Sequence, residues 1–177
     1  FATPSRFGLS YIDENGEKLE LSGGSVISSA HDATPQSAFT FSILNGSYCS
    51  LTGYIGTDTA VIIPGEWTDD NGVTRIVQTI GNSVFKNNKN ITSVVIADSI
   101  ESMGSNVFDG CSSLISVKGG AKLTNVGNYA FRNCVNLRGY NFEPVTVTMG
   151  SYAFYGCTSI THFEGWISQV KSELYTR

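Results

Sequence analysis

The stretch "GSNVFDGCSSL", residues 104–114, is written four times in this chain with small changes. "GNSVFKNNKNI" occupies 81–91, "GNYAFRNCVNL" 127–137 and "GSYAFYGCTSI" 150–160. Gly81, Gly104, Gly127 and Gly150 recur at one fixed interval, and Phe85, Phe108, Phe131 and Phe154 recur at the same interval. Ile91, Leu114, Leu137 and Ile160 keep that spacing, and so do Val94, Val117, Tyr140 and Phe163. Cys111, Cys134 and Cys157 form a further column, with Asn88 in the first unit. Columns that agree at one period mean that each unit is a structural module, and self-similarity is read before any local propensity.

A period of 20–29 residues with leucine-like positions and an Asn/Cys column predicts a leucine-rich repeat solenoid. One such unit cannot bury its own apolar face, whereas stacked units share a continuous core. The expected fold is therefore mainly β, built of 23-residue units. Each has a short strand such as "TSVVI" at 92–96, then a turn and a tight helical or 3-10 turn around "SNVFDG". Phe85, Phe108, Phe131 and Phe154 would form an aromatic spine. The Cys/Asn column would place small side chains where buried loop backbone needs a partner.

Upstream, "AVIIP" at 60–64 aligns with "SVVIA" at 93–97, an offset of 33, which is one unit plus ten residues inserted in "GEWTDDNGVT" (65–74). Asp-Asp-Asn-Gly is turn chemistry, so a protruding loop is expected there. "AFTFSILNGSYCSLTGYI" (38–55) alternates apolar residues around Asn45-Gly46, a hairpin signal, and "LSYIDENGEKLEL" (9–21) does the same around Asn15-Gly16. The organisation read from these features is a β-rich extension (1–38), then an N-terminal β-hairpin cap with a partial unit and inserted loop (39–79). Four repeats (80–166) and a C-terminal cap or tail (167–177) follow. In the tail, Ile167, Val170 and Leu174 lie at helical spacing.

"IGNSVFKNNKNITSVVI", "VGNYAFRNCVNL" and "MGSYAFYGCTSI" resemble the BspA-like leucine-rich repeat family, whose unit reads roughly I-G-x-x-A-F-x-x-C-x-x-L-x-x-V-x-I-P. "FSILNGSYCSLTGYIGTDTAVIIPGEW" is similar to that family's entry into the array, and the resemblance covers about 39–166. Departures are Asn88 for Cys, Ala97 for Pro, and irregular stretches at "GYNFEPVTVTMG" and "HFEGW". The resemblance implies a secreted or surface-exposed protein of host-associated microbes, linked to adhesion. The implied ligand is a protein or glycan, with the host extracellular matrix among the candidates. It brings no catalytic residues with it.

Composition narrows the function from another side. Charged residues are 15% of the 177, below the roughly 25% usual for soluble domains, and net charge is −4. Nucleic-acid binding needs a concentrated basic face, which this balance disfavours. No apolar run approaches the roughly 18 residues of a membrane span. "FATPSRFGLS" has neither the basic nor the apolar region of a signal peptide; an extracellular or cell-surface location presumes that a signal has been removed. Nothing in the sequence fixes the oligomeric state, for which a monomer is the expectation.

No metal or cofactor is expected. The cysteines lack the close C-x₂₋₄-C pairs of zinc sites. A disulfide framework suits a secreted chain. Cysteines stacked in one column, however, point the same way rather than at each other, which favours buried thiols, Cys49 included. A catalytic cysteine needs a base, and only His31 and His162 are available. "DENGE" (13–17) and "TDDNG" (68–72) read as turns first and weak calcium sites second, while Asn45 and Asn90 head formal glycosylation sequons. The predicted functional surface is the outward face of the stacked strands: Ser93, Val95, Ser116, Lys118, Gly139, Asn141, His162 and Glu164. A non-enzymatic binding or adhesion module on this face is the expected function. The alternative is a structural spacer that presents another domain of a larger surface protein.

Overall fold

The computed structural model describes residues 9–12, 18–22, 25–27, 33–140 and 147–160. The chain divides into two compact units, Phe1–Ala33 and Thr34–Arg177. The first holds a three-stranded antiparallel sheet of β1 (Leu9–Ile12), β2 (Lys18–Ser22) and β3 (Ser25–Ile27), in that order. Ile12 pairs with Lys18 across the Asn15-Gly16 segment, which itself lies outside the described residues.

The second unit opens with a 3-10 turn, Gln36–Ala38, the only helical turn among the described residues. It leads into the antiparallel hairpin β4 (Phe39–Ile43) and β5 (Tyr48–Tyr54). Asn45 makes the turn: its Oδ1 accepts the N–H groups of Ser47 (2.9 Å) and Tyr48 (3.1 Å). β6 (Ala60–Ile63), β7 (Glu66–Thr68) and β8 (Thr74–Ile80) follow. The inserted residues form an antiparallel β7–β8 hairpin rather than an open loop. The Asp69 carboxylate fixes it by accepting Asn71 and Val73 N–H groups and pairing with Arg75 at 2.7 Å, while the Trp67 ring stacks on Phe41 at 5.1 Å.

From β9 onward the described residues are regular. β9 (Ser93–Ile96), β11 (Ser116–Gly119) and β13 (Gly139–Tyr140) lie parallel beside β6. Ser93 pairs with Ser116 and Ser116 with Gly139, each step one repeat period, while Val61 pairs with Val94 across the longer offset of the insertion. A second sheet runs β14-β12-β10-β8-β5-β4, with β10 (Ser102–Met103), β12 (Asn125–Val126) and β14 (Thr148–Met149). There Thr79, Ser102, Asn125 and Thr148 lie in register, again one period apart.

The third ladder comes from turns, where the sequence predicts short helical turns. The N–H groups of Asn106, Phe108 and Gly110 donate to the carbonyls of Asn128, Ala130 and Arg132 in the next unit, at 2.7–2.9 Å. A helix would have directed them back along their own chain. The bend comes from left-handed residues four apart, Asn106 (φ 58°) with Gly110 (φ 74°) and Tyr129 (φ 59°) with Asn133 (φ 59°). Ser83 with Asn87 and Tyr152 with Gly156 repeat the pattern, and the second position of each pair is Asn or Gly, which tolerate this region.

The three ladders enclose one core. Phe85, Phe108, Phe131 and Phe154 are buried and stacked face to face at 5.0–5.2 Å, with interplanar angles of 4–11°. Tyr54 continues the stack upstream at 5.2 Å, and Phe39 packs on Tyr54 at 5.3 Å. Ile91, Leu114 and Leu137 fill the adjoining column, fully buried. Units approach so closely that glycine is required at Gly127, where a Cβ would sit 2.5 Å from the Gly104 carbonyl carbon. Phe131 has a ring on each face and no exposed surface, so Phe131→Ala should cost about 3–5 kcal/mol in chemical denaturation. A loss under about 1 kcal/mol would contradict this packing.

Candidate functional site

Two exposed surfaces compete for function, and each follows from the column rule. Along β9 and β11 side chains alternate, so Val94 and Val117 are buried while Ser93, Val95, Ser116 and Lys118 face outward. Strand pairing then sets Ser93 beside Ser116 and Gly139, and Ile62 beside Val95 beside Lys118. Val95 and Lys118 are exposed; Ser93, Ser116 and Gly139 are half-buried. Five of the eight residues expected on the strand face are therefore brought together. Asn141, His162 and Glu164 lie outside the described residues, as do Phe163, His31 and the segment from Trp166 to Arg177.

The second surface is on the turns. The column of left-handed residues reads Ser83, Asn106, Tyr129, Tyr152, and that following the phenylalanines reads Lys86, Asp109, Arg132, Tyr155. Tyr129 and Tyr152 stack at 5.5 Å and 4°, and Tyr155 meets Tyr152 edge-on at 5.8 Å. The Arg132 guanidinium lies 4.7 Å above the Tyr129 ring. It also grips Asp109 through two bonds, Nε to Oδ1 at 2.8 Å and Nη2 to Oδ2 at 2.7 Å. Lys86 approaches the same carboxylate at 3.7 Å and Asn106 donates to it at 3.2 Å. The sequence signal for this cluster, "YAFR" followed one period later by "YAFY", is plain once the turns are known to project these positions outward.

The thiols face the core. Cys111, Cys134 and Cys157 are free and buried, and each Sγ donates to the carbonyl of the phenylalanine in the preceding unit: Phe85, Phe108 and Phe131, at 2.9–3.0 Å. Burial pushes the Cys111 thiol up to about 12; the Cys134 thiol is raised by its hydrogen bond with Cys157 and by burial. The Cys111 and Cys134 thiols are thereby held protonated near neutrality. Asn88 takes the column position where no phenylalanine unit precedes it, and its Oδ1 instead accepts the Asn90 and Ile91 N–H groups.

Other candidates have structural employment. Asp69, the first carboxylate of "TDDNG", is occupied by two backbone N–H groups and Arg75. A cleft of about 300 Å³ lies between Tyr48, Glu66, Ile76, Ala97, Glu101 and Lys122. Gln78 donates to Glu101 there, and no nucleophile–base pair is assembled among these lining residues. Among the described residues no group of three or more His, Cys, Asp or Glu side chains is arranged to hold a metal ion. Among them, too, no helix is long and apolar enough to cross a membrane.

Residues 77–173 match the family described as "BspA type Leucine rich repeat region", in six copies. Among curated proteins, none matches the chain. Three solved structures are similar in fold. A leucine-rich repeat protein of T. pallidum is 25% identical with a TM-score of 0.67, over 73% of this chain and 58% of that one. One from Bacteroides capillosus is 27% identical, with a TM-score of 0.63, over 71% of this chain and 92% of that one. A leucine-rich cell surface protein of Faecalibacterium prausnitzii is 28% identical, with a TM-score of 0.64, over 75% of this chain and 36% of that one. The chain thus spans little more than half of the first and about a third of the third.

Asp109 supplies a pH test. Its pKa is held below the ordinary 3.8, first by the Arg132 hydrogen bond, which outweighs the opposing effect of burial. A depressed carboxylate stabilises the fold fully above its unfolded pKa and loses that contribution as pH falls through the folded value. Stability should therefore drop below about pH 4. Asp109→Asn should flatten that acid limb and cost about 1–3 kcal/mol at neutral pH in urea denaturation. Identical acid limbs in variant and parent would contradict the assignment.

Proposed function

Since the chain belongs to the BspA-type leucine-rich repeat family, we propose that it is an extracellular or cell-surface binding module that engages its partner through the strand face. Membership implies a protein-interaction module, and leucine-rich repeat proteins are in general non-enzymatic binding modules. The cell-surface setting takes support from the Faecalibacterium prausnitzii protein, described as a leucine-rich cell surface protein. Adhesion to a protein or glycan, host matrix included, is the role proposed on that surface.

The observation that carries the reading is the strand register. Residues one period apart lie side by side, so Val95 and Lys118 join Ile62 in one continuous outward row. In this reading the 23-residue units stack as a solenoid, the β4–β5 hairpin closes its upstream end, and the strand face offers several modest contacts rather than one anchor. The half-buried serines and glycine beside the row make the face shallow and suited to a broad partner.

A second reading is favoured by the turn-face cluster. Tyr and Arg dominate interface hot spots, and Tyr152 and Tyr155 are about two-fifths exposed beside Arg132. A spacer role, with binding elsewhere in a longer protein, is the third. Screening the protein against a glycoprotein array identifies a partner; Val95→Lys combined with Lys118→Glu, which keeps opposite charges side by side on the paired strands, should then weaken binding at least about tenfold. Unchanged affinity in that variant, with loss in Tyr152→Ala/Tyr155→Ala, would move the site to the turn face. An array without any binder would favour the spacer.

A further inference from the structure

The two described Asn-Gly pairs, Asn45-Gly46 and Asn71-Gly72, both sit exposed in hairpin turns, yet their hydrogen bonding differs in ways that bear on asparagine chemistry. In deamidation the nitrogen of the following residue attacks the asparagine Cγ. That nitrogen must shed its proton, and negative charge must build on Oδ1.

At Asn45 both requirements are met. Oδ1 already accepts two backbone N–H groups, from Ser47 at 2.9 Å and Tyr48 at 3.1 Å. They polarise the side-chain carbonyl and stabilise the charge that develops on its oxygen, as an oxyanion hole does. The Gly46 N–H makes no hydrogen bond among the described residues, so nothing has to break before it reacts. The surroundings are open, since a Cβ at Gly46 would meet no atom within 4 Å.

At Asn71 the corresponding nitrogen is tied down. The Gly72 N–H donates to the Asp69 carbonyl at 2.9 Å, closing the turn. Gly72 is held at φ +77°, and the Asp69 side chain, paired with Arg75, takes the Asn71 and Val73 N–H groups. Losing the Gly72 proton breaks the turn bond.

We infer that Asn45 is a site of spontaneous deamidation in the folded protein and that Asn71 is protected from it. The Gly46 nitrogen gives its proton to solvent base and forms a bond to Asn45 Cγ. The side-chain nitrogen takes a proton from water and leaves as ammonia, and a five-membered succinimide remains. One water then opens either ring carbonyl, giving aspartate or isoaspartate. One water is consumed and one ammonia released, with no oxidant or reductant. The isoaspartate product lengthens the backbone of the β4–β5 turn and sets a new negative charge beside the exposed Ile43 and Leu44.

The test incubates the full chain in mildly alkaline buffer, folded and in concentrated urea. Each sample is then digested and isoaspartate is quantified peptide by peptide with mass spectrometry. In the folded protein Asn45 should convert about tenfold faster than Asn71, the effect of one turn hydrogen bond that must open only at Asn71. In urea the two rates should converge. Gly46→Ala, which the open surroundings admit, should slow Asn45 and leave Asn71 as it was. Equal rates in the folded protein, faster conversion at Asn71, or the same Asn45-to-Asn71 ratio in urea would overturn the inference.

Discussion

Backbone hydrogen bonds from each unit to the next, at an offset of one repeat, are the constraint on which the rest of the regular part of this protein depends. They run along the parallel strands of both sheets and the ladder of turns, so each side of a unit is fixed to its neighbour. Once the offset is fixed, every side chain lies over its own counterpart, and each column must suit stacking on itself. Phenylalanine does so as a face-to-face pile, and aliphatic residues do so as a filled seam. Cysteine does so because its thiol reaches the carbonyl of the phenylalanine one unit earlier. A large polar side chain in one of these columns would meet no partner and would leave buried polar atoms unsatisfied.

The same constraint explains where charge is tolerated. Asp109 is nearly fully buried in an outer column, which is acceptable because Lys86 and Arg132 occupy that column one unit before and after it. Charges of one sign stacked there would repel. Outward positions on the strands carry no such duty, so they can vary with a partner. That latitude, together with the family relationship, is what directs the functional reading to a binding surface.

Much of the regular part is legible because stacking writes itself into sequence as a period. Phe85, Phe108, Phe131 and Phe154, the cysteine column, and the alignment of 60–64 with 93–97 can all be read by counting. The conformation of the turns is harder to read. "SNVFDG" lacks a helix-breaking proline and so suggests a helical turn, yet Asn/Gly at 87, 110, 133 and 156 is a legible sign of left-handed backbone. The insertion at 65–74 reads as a loop because its pairing partner is the following strand and its anchor, Phe41 under Trp67, lies far upstream. Tyr54 as the head of the aromatic stack is hidden for the same reason, since the hairpin that carries it does not share the period. The strand-face residues follow from alternation alone. The exposed tyrosines do not, because their direction depends on the turn geometry.

The central claim, that one-unit register holds the array together, is tested most directly by deleting chain. Removing residues 110–132 takes out one whole unit, joins Asp109 to Asn133, and lets Phe154 stack on Phe108 and Cys134 reach the Phe85 carbonyl. This protein should retain β-type circular dichroism and unfold cooperatively in urea, with an m-value reduced in proportion to the surface lost. Removing only residues 111–132 shifts every later column by one position relative to the units beneath and should abolish cooperative unfolding. Equal cooperativity in the two deletions would contradict the account.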